Sequence, residues 1–217
     1  MNYITKFQHD KFTDYVKQKY DLQVDDRVIT DIPTFDTSLL NTFNWNIGLI
    51  LGNSGSGKTT ILKTLGEIKE PQYDYQKPVV SQFPKLKPEE VPELLCSVGL
   101  CDIPIWLHKP NELSNGERAR LDICKTIHDS NGVVLIDEFT SVVNRSCAKS
   151  LSFALQKYVR RHNLQIILSS CHYDIAEWLT ADWIFNLNNP QGIEHLNYNS
   201  SIYVPTDAIL TDKRNVC

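Results

Sequence analysis

The residues best suited to chemistry lie in one short stretch, residues 52–59, which reads GNSGSGKT. The stretch matches the pattern G-x-x-x-x-G-K-[ST] of a phosphate-binding P-loop. Glycines allow a sharp turn that directs backbone N–H groups at phosphate oxygens, while Lys58 can reach the β- and γ-phosphates and Thr59 can ligate Mg²⁺. The residues expected to contact such a ligand are Gly52, Asn53, Ser54, Gly55, Ser56, Gly57, Lys58, Thr59 and Thr60.

The segments around this loop have the structure that the motif requires. Residues 47–51 form an apolar run that is short enough for a buried strand, and residues 60–65 suit a helix. A strand, a glycine-rich turn and a helix in this order are the known context of a P-loop. The alternative, a chance Gly/Ser-rich turn, explains neither flanking segment.

A second group of candidate residues follows two other predicted strands. Residues 133–138 are four apolar residues and two acids, which is typical of a buried parallel strand that ends at the ligand-binding edge of an open sheet. Asp137 suits a Mg²⁺ contact, and Glu138 could orient or deprotonate a water molecule. His172 follows a strand at residues 165–170, where it could donate to a γ-phosphate. The alternatives are two solvated acids and a structural histidine.

Three further candidates depend on local patterns. Residues 79–84 resemble a short strand ending near Gln82, whose side chain could reach Mg²⁺ and the attacking water. Ser114 and Glu117 have the spacing of a helix N-cap and its capping box, and such an N-terminus can also bind phosphate. Phe35 is a candidate for stacking on adenine, with an ordinary core phenylalanine as the alternative.

The remaining chain predicts a mixed α/β pattern. Residues 3–20 have apolar side chains at helical spacing among lysines, which favours an amphipathic helix docked on the core over one that contacts nucleic acid, a membrane or a partner. Five prolines exclude a single long helix from residues 66–93. We expect strands within 22–45, 183–187 and 193–198, and helices within 89–128, 146–161 and 175–179.

Composition indicates an ordinary globular protein. The 217 residues are 41% hydrophobic and 22% charged, with a net charge of −4, which favours a single domain at 1–217 and disfavours a protein that coats nucleic acid. The six cysteines show no C-x-x-C or zinc spacing and are expected to be reduced thiols in a cytoplasmic protein. We also expect neither a signal peptide nor a membrane span.

Taken in order, these motifs resemble the ABC-type ATPase family. Residues 52–59 match its P-loop, Gln82 its Q-loop glutamine, and the LSNGE of residues 113–117 its signature, usually LSGGQ. VVLIDE at 133–138 is similar to Walker B with the catalytic glutamate, TSVVN at 140–144 to the D-loop, and His172 to the switch histidine. The departures are Asn115, Glu117, Phe139 and Asn144, which stand where the family usually has Gly, Gln, Pro and Asp.

The resemblance implies an α/β P-loop NTPase of the ABC ATPase type. Its sheet would be mostly parallel, with an N-terminal antiparallel β region and a short helical subdomain at about residues 85–128. The implied cofactors are ATP and Mg²⁺, and the departures remove no catalytic group, so hydrolysis is expected. The implied catalytic residues are Glu138, His172, Gln82 and Lys58, and the implied metal ligands are Thr59, Gln82 and Asp137.

The family also implies an assembly. Its ATPase domains dimerise head to tail, with each ATP held between one P-loop and the signature of the other protomer. This chain has one P-loop and one signature, which implies a homodimer or a paralogous partner. The residues implied to contact ATP across the interface are Ser114, Asn115, Gly116 and Glu117.

A finer resemblance lies in residues 44–50 and 171–179. They are similar to ABC-type ATPases fused to a predicted GNAT-type acetyltransferase domain, some of them in phages. This chain has no room for that domain, so the resemblance implies a soluble switch for a separate enzyme, either acetyltransferase-like or acting on nucleic acid. Two alternatives stay open: the ATPase subunit of a transporter, against which the short segment 83–112 counts, and a non-hydrolysing nucleotide-dependent clamp.

Overall fold

A computed structural model describes residues 2–6, 9–22, 27–31, 33–34, 36–189 and 193–195 of the chain. The chain divides into two compact units, Met1–Asp36 and Thr37–Cys217, and the single domain over residues 1–217 stays a prediction. The candidate adenine-stacking residue Phe35 lies outside the described residues.

The first unit contains an antiparallel pair of strands and one helix. Strands β1 (Asn2–Lys6) and β2 (Arg27–Asp31) pair in register from Asn2 with Asp31 to Lys6 with Arg27. This pair provides the expected N-terminal antiparallel β region.

The single helix predicted for residues 3–20 is wrong. The chain instead forms β1 and then helix α1 (Lys11–Lys19), because the Asp10 carboxylate accepts from the backbone N–H groups of Phe12 and Thr13 at 2.9 and 2.8 Å and fixes the start of the helix there. None of the residues of α1 is buried, and Phe12 is 69% exposed. The buried apolar stripe expected here is therefore not found in this helix.

The second unit is built around a mostly parallel sheet, as predicted. Its strands are β3 (Ile47–Leu51), β4 (Val134–Ile136), β5 (Ile166–Ser170), β6 (Trp183–Asn186) and β7 (Ile193–His195). The spatial order is β4-β5-β3-β6-β7. Only the β6–β7 pair of this sheet is antiparallel, so β3, β4, β5 and β6 all end at the same edge.

Helices surround this sheet in the described part of the second unit. They are α2 (Lys58–Leu65), α3 (Val91–Ser97), α4 (Ile103–Trp106), α5 (Asn115–Asp129), α6 (Arg145–Arg161) and α7 (Ile175–Leu179). Short 3₁₀ helices lie at Thr37–Asn41, Val79–Gln82 and Pro110–Glu112. No helix within the described ranges is both long and apolar enough to cross a membrane.

The short strand predicted at residues 79–84 is wrong, because that segment forms a 3₁₀ helix over Val79–Gln82. The Ser81 N–H donates to the Pro78 carbonyl at 3.0 Å, and the Val79 N–H donates to the His108 carbonyl at 2.8 Å. The backbone groups are satisfied by a turn and by the helical region rather than by a sheet. Of the strands expected over residues 22–45, β2 is formed, and Thr37–Asn41 is a 3₁₀ turn.

The core fixes β3 from both faces. All residues of β3, β4 and β5 are buried, as expected for central parallel strands covered on two sides. Gly48 is needed in β3 because an added Cβ would lie 2.0 Å from the Trp183 ring. The central strand is thus held tightly, and it delivers residues 52–57 to the carboxyl edge of the sheet.

Candidate functional site

The P-loop connects β3 to α2 through two left-handed residues. Gly55 has φ 78° and Gly57 has φ 97°, a conformation in which a residue with a side chain is strained. Gly57 is the N-cap of α2, and no side chain caps this helix. The first N–H groups of α2 are therefore not covered by a cap, which is a property of anion sites at helix N-termini.

Lys58 places a positive charge inside this turn. Its ammonium group donates to the carbonyls of Gly52 and Asn53 at 2.8 and 2.7 Å, and the residue is only 9% exposed. Across the described residues no carboxylate pairs with Lys58, and the buried Ser56 hydroxyl has no hydrogen-bond partner. A buried cation without a counter-charge, beside an unsatisfied hydroxyl, fits a phosphate ligand.

Asp137 connects three elements at the edge of the sheet. The Thr59 hydroxyl, at the start of α2, donates to Oδ2 of Asp137 at 2.6 Å, and the Ser169 hydroxyl of β5 donates to Oδ1. The Glu138 N–H also donates to Oδ1, at 3.0 Å. The structure therefore brings together Thr59 and Asp137, two of the three predicted metal ligands.

These oxygens fit the ion that the motif implies. Mg²⁺ prefers oxygen ligands, and it is usually held by one or two protein groups together with substrate phosphates and water. The described residues contain no cluster of three or more His, Cys, Asp or Glu side chains that could hold a metal alone. A hydroxyl and a carboxylate in contact beside a phosphate site suit a Mg²⁺ ion that arrives with a nucleotide.

Glu138 is held in an unusual backbone conformation. It has φ 51°, which is uncommon for a residue with a side chain, and it is exposed. Together with Asp137 and Thr140 it lines a cavity of about 330 Å³. Local strain of this kind concentrates at functional sites, where it fixes the direction of a side chain.

His172 lies in the loop after β5, close to the turn that follows Glu138. The backbone N–H of His172 donates to the Ser170 hydroxyl at 3.1 Å, and its ring Nδ1 lies 3.4 Å from the Thr140 hydroxyl. Burial, assisted by the Arg145 guanidinium, lowers the pKa of His172 below its ordinary value, and Asp174 opposes this effect. The imidazole is therefore neutral at neutral pH and retains one N–H donor.

Gln82 does not contact this group of residues. It is 4% exposed, and its amide nitrogen donates to the carbonyls of Asp74, Lys77 and Pro78 at 2.8, 3.0 and 3.3 Å. Its amide oxygen accepts from the Asp74 N–H at 3.0 Å. In this conformation the carboxamide is engaged in closing its own loop, and the contact of Gln82 with Mg²⁺ stays a prediction.

The segment 113–117 forms the capping box that the sequence predicts. The Ser114 hydroxyl accepts from the Glu117 N–H at 3.4 Å, while the Glu117 carboxylate accepts from the N–H and the hydroxyl of Ser114 at 2.9 and 2.7 Å. In the described structure no hydrogen bond joins residues 114–117 to residues 52–59. The two predicted nucleotide-contacting segments are thus not joined by hydrogen bonds among the described residues of one chain.

Two residues of the site were missed from the sequence. Ser169 holds Asp137, and Asn188 bonds the P-loop residue Asn53 through both polar atoms of its carboxamide. Both follow from strand pairing, because neighbouring parallel strands bring their carboxyl ends together. The available signal was a polar residue at or just past the end of each predicted strand, which belongs to no motif.

The fold and this arrangement define a P-loop nucleotide-binding domain. A family model described as the Rad17 P-loop domain matches residues 5–182, and the chain belongs to that family. Part of the chain is also similar in sequence to an ABC transporter protein. The energy-coupling factor transporter ATP-binding protein EcfA1 of Staphylococcus aureus is 30% identical over 81 residues, which are 37% of this chain and 29% of that protein. The chain thus spans less than a third of the length of these curated relatives.

Solved structures show the same fold at low identity. A dimeric bacterial ABC transporter cassette, MJ0796, aligns with a TM-score of 0.53 and 14% identity over 79% of this chain and 90% of that one. The same cassette in a post-hydrolysis state bound to ADP and Pi gives a TM-score of 0.55 at 15% identity over the same shares. The RNase-L inhibitor aligns at 0.52 and 21% identity over 65% of this chain and 32% of that one. The chain therefore has a P-loop NTPase fold that it shares with ABC cassettes, and part of its sequence is similar to an ABC transporter ATP-binding protein.

Proposed function

We propose that this protein binds ATP with Mg²⁺ and hydrolyses it. The observation that carries this proposal is the network in which Thr59, Asp137 and Ser169 meet at the edge of the sheet, beside the buried Lys58. The network joins three elements, with Lys58 and Thr59 on α2, Asp137 after β4 and Ser169 on β5. A purely structural role does not explain why a buried lysine and a strained glutamate adjoin it.

Each side chain then has a distinct part in the reaction. Lys58 would exchange its two carbonyl partners for phosphate oxygens, and Thr59 and Asp137 would hold a Mg²⁺ ion, whose charge would offset that of the phosphates. Glu138 orients or deprotonates the attacking water, and its left-handed backbone fixes its direction. His172, neutral and carrying one N–H donor, contacts the γ-phosphate.

A second chain completes the site in this proposal. Residues 114–117 make no hydrogen bond to the P-loop of their own chain within the described structure. Gly116 also has no internal reason to be glycine, because an added Cβ would meet only the Val142 carbonyl oxygen, at an ordinary 3.9 Å. Close approach of a ligand or of another chain accounts for it. The proposed assembly is a homodimer, or a pair with a paralogous ATPase, that encloses ATP.

The dimer would act as a switch for another protein. By resemblance, the proposed partner is a separate acetyltransferase-like enzyme or an enzyme that modifies nucleic acid. A second candidate function, the ATP-binding subunit of a transporter, is favoured by the similarity to the transporter ATP-binding protein EcfA1. The two candidates differ in the partner they require, and the nucleotide site is the same in both.

The proposal is tested by replacing Glu138 with glutamine. We expect steady-state ATP turnover to fall by at least about 100-fold, because the general base is lost, while Mg-ATP still binds. Glu177→Gln, an exposed glutamate of α7, is the matched control and should retain wild-type turnover. Unchanged turnover in Glu138→Gln would refute the catalytic assignment.

The same variant tests the assembly and the partner. Glu138→Gln with ATP and Mg²⁺ should sediment as a dimer and should return to a monomer with ADP. Affinity capture from a native extract under these conditions identifies the partner by mass spectrometry. A transferase or nucleic acid supports the switch, whereas an integral membrane protein supports the transporter subunit. A monomer with bound ATP would contradict the enclosed dimer.

A further inference from the structure

Strand register brings the turn after β6 against the P-loop. Strands β3 and β6 pair in parallel, with Leu51 opposite Asn186. The ladder continues beyond the strand ends, because the Leu187 N–H donates to the Leu51 carbonyl at 2.8 Å. At Gly52 an added Cβ would lie 3.2 Å from Leu187 Cβ, so the loop and the turn are in close contact. The next residues of the two segments, Asn53 and Asn188, consequently meet.

Asn188 binds Asn53 through both ends of its carboxamide. Its Oδ1 accepts from the Asn53 backbone N–H at 3.3 Å, and its Nδ2 donates to Asn53 Oδ1 at 3.0 Å. Asn53 is the second residue of the P-loop, and its carbonyl already accepts from Lys58 Nζ at 2.7 Å. Asn53 is therefore held on one side by the lysine of the loop and on the other side by Asn188.

The same carboxamide reaches the segment that carries His172. Asn188 Nδ2 also donates to the Tyr173 hydroxyl at 2.6 Å, and that hydroxyl lies 3.4 Å from Asn186 Oδ1. The Asn188 N–H donates to Asn186 Oδ1 at 3.0 Å, which fixes the turn. A chain of hydrogen bonds thus runs from the P-loop through Asn188 to the residue next to the switch histidine candidate.

The contact between Asn188 and Asn53 would hold the P-loop when a nucleotide binds. If Lys58 moves to the phosphates, the loop loses the two bonds that Lys58 makes to the carbonyls of Gly52 and Asn53. Among the described residues, Asn188 would then be the remaining side-chain hydrogen-bond partner of Asn53, so it would keep the loop in its binding shape during the exchange. Holding a loop in its bound conformation before the ligand binds raises affinity by reducing the ordering cost.

We infer that Asn188 is a positioning residue that raises nucleotide affinity by holding the P-loop, and that Tyr173 links it to the His172 segment. This inference rests on the proposed ATP binding. It predicts a specific pattern: loss of the carboxamide weakens binding and increases KM, while the chemical step keeps its rate, since Asn188 touches none of the proposed catalytic groups.

The test compares Asn188→Ala with Asn189→Ala. Asn189 is the adjacent exposed asparagine, and its only hydrogen bond in the described structure is from its backbone N–H to the Asn186 carbonyl, which alanine retains. For Asn188→Ala we expect the Kd for Mg-ATP and the KM to rise about tenfold, with kcat within about twofold of the wild type. Asn189→Ala should match the wild type in all three constants.

Two further variants test whether the loss of affinity comes from the hydrogen bonds of the Asn188 carboxamide. Asn53→Ala combined with Asn188→Ala should weaken binding no more than Asn188→Ala alone, because the Asn53 Oδ1 contact that Asn53→Ala removes is already lost with the Asn188 carboxamide. Tyr173→Phe should raise Kd by about threefold, since it removes one of the two anchors of the carboxamide. Equal affinities for Asn188→Ala and Asn189→Ala, in a wild type that binds Mg-ATP, would overturn this inference alone. A wild type that binds no Mg-ATP would instead overturn the proposed function.

Discussion

Two helix N-termini of this molecule carry the predicted nucleotide contacts, and they are built in opposite ways. Helix α2 begins at Gly57 without a side-chain cap and with the Lys58 ammonium directly beside it. Helix α5 begins at Ser114, which caps it, and Glu117 closes the capping box. The first N-terminus is open and positive, whereas the second is closed by the chain itself and carries a carboxylate.

The N-terminus of α2 is ready to accept an anion, whereas the N-terminus of α5 is not. At α2 the uncapped helix, the lysine and the Thr59–Asp137 contact leave an arrangement that an anion and a divalent cation would complete. At α5 the Ser114 hydroxyl already donates to Glu117, so a phosphate would have to compete for it. The closed N-terminus needs either a second chain or a change in Glu117 before it can bind an anion.

The largest expected effect in this comparison comes from Gly116→Ala. Because the added methyl group meets only Val142 O at 3.9 Å, the fold should keep its stability, and the helix propensity of alanine is more favourable by about 1 kcal/mol. If Gly116 faces a nucleotide across an interface, a displacement of about 1 Å should reduce ATP turnover by about 100-fold. Thermal unfolding and steady-state turnover measure the two effects separately.

The outcome decides what the closed N-terminus is for. Reduced turnover at unchanged stability supports a role of α5 at an interface. Wild-type turnover would instead make Ser114 and Glu117 a helix cap and nothing more. A loss of stability would show that the glycine is required by the fold, contrary to the contact distance.

A second prediction concerns Gln82, which closes the loop at residues 74–82 through its carboxamide. Gln82→Ala should lower the free energy of unfolding by about 2 kcal/mol, because the buried Gln82 carboxamide and its hydrogen bonds to Asp74, Lys77 and Pro78 are lost. The Mg²⁺ concentration that gives half-maximal turnover should not change. Gln76→Ala, an exposed glutamine of the same loop, should alter neither quantity. A raised Mg²⁺ requirement at normal stability would restore the role predicted from the motif.

Features that depend on residues close together in the chain could be predicted from the sequence. The P-loop, Asp137, Glu138 and the capping box at Ser114 were found because each depends on residues close together in the chain and on one adjoining element. The mostly parallel sheet followed from short apolar runs that alternate with helical segments. These local patterns were sufficient for the fold and for the core of the candidate site.

The errors arose where distant residues decide the structure. Residues 79–84 have the composition of a strand, but the Val79 N–H pairs with the His108 carbonyl in the helical region, so a 3₁₀ turn forms. Ser169 and Asn188 carry no motif, and only the pairing of strands brings them to Asp137 and Asn53. The start of α1 was misplaced because the cap at Asp10 outweighs the apolar spacing before it.

The smallest expected effect is that of Glu117→Gln, which removes the negative charge at the capped N-terminus of α5. The Ser114 hydroxyl and then the Ser114 N–H donate to the carboxylate and lower the pKa of Glu117, so it stays ionised at neutral pH. A depressed folded-state pKa contributes stability that is present above the unfolded pKa and is lost as pH falls through the folded pKa. Glutamine keeps the capping geometry. The free energy of unfolding of the wild type should therefore fall more steeply than that of the variant as the pH is lowered into the acid range, which denaturant unfolding at several pH values measures.

The same substitution tests whether the carboxylate opposes a phosphate. In protein that also carries Glu138→Gln, removing the Glu117 charge should strengthen ATP-dependent dimerisation by about threefold, in line with the small energies of exposed charges. Glu112→Gln is a matched control, because the Glu112 carboxylate accepts from the Lys109 N–H at 2.9 Å in a similar box nearby. Sedimentation equilibrium with ATP and Mg²⁺ measures both. Equal dimer constants would mean that no phosphate approaches Glu117, and the capped N-terminus would then lie outside the nucleotide site.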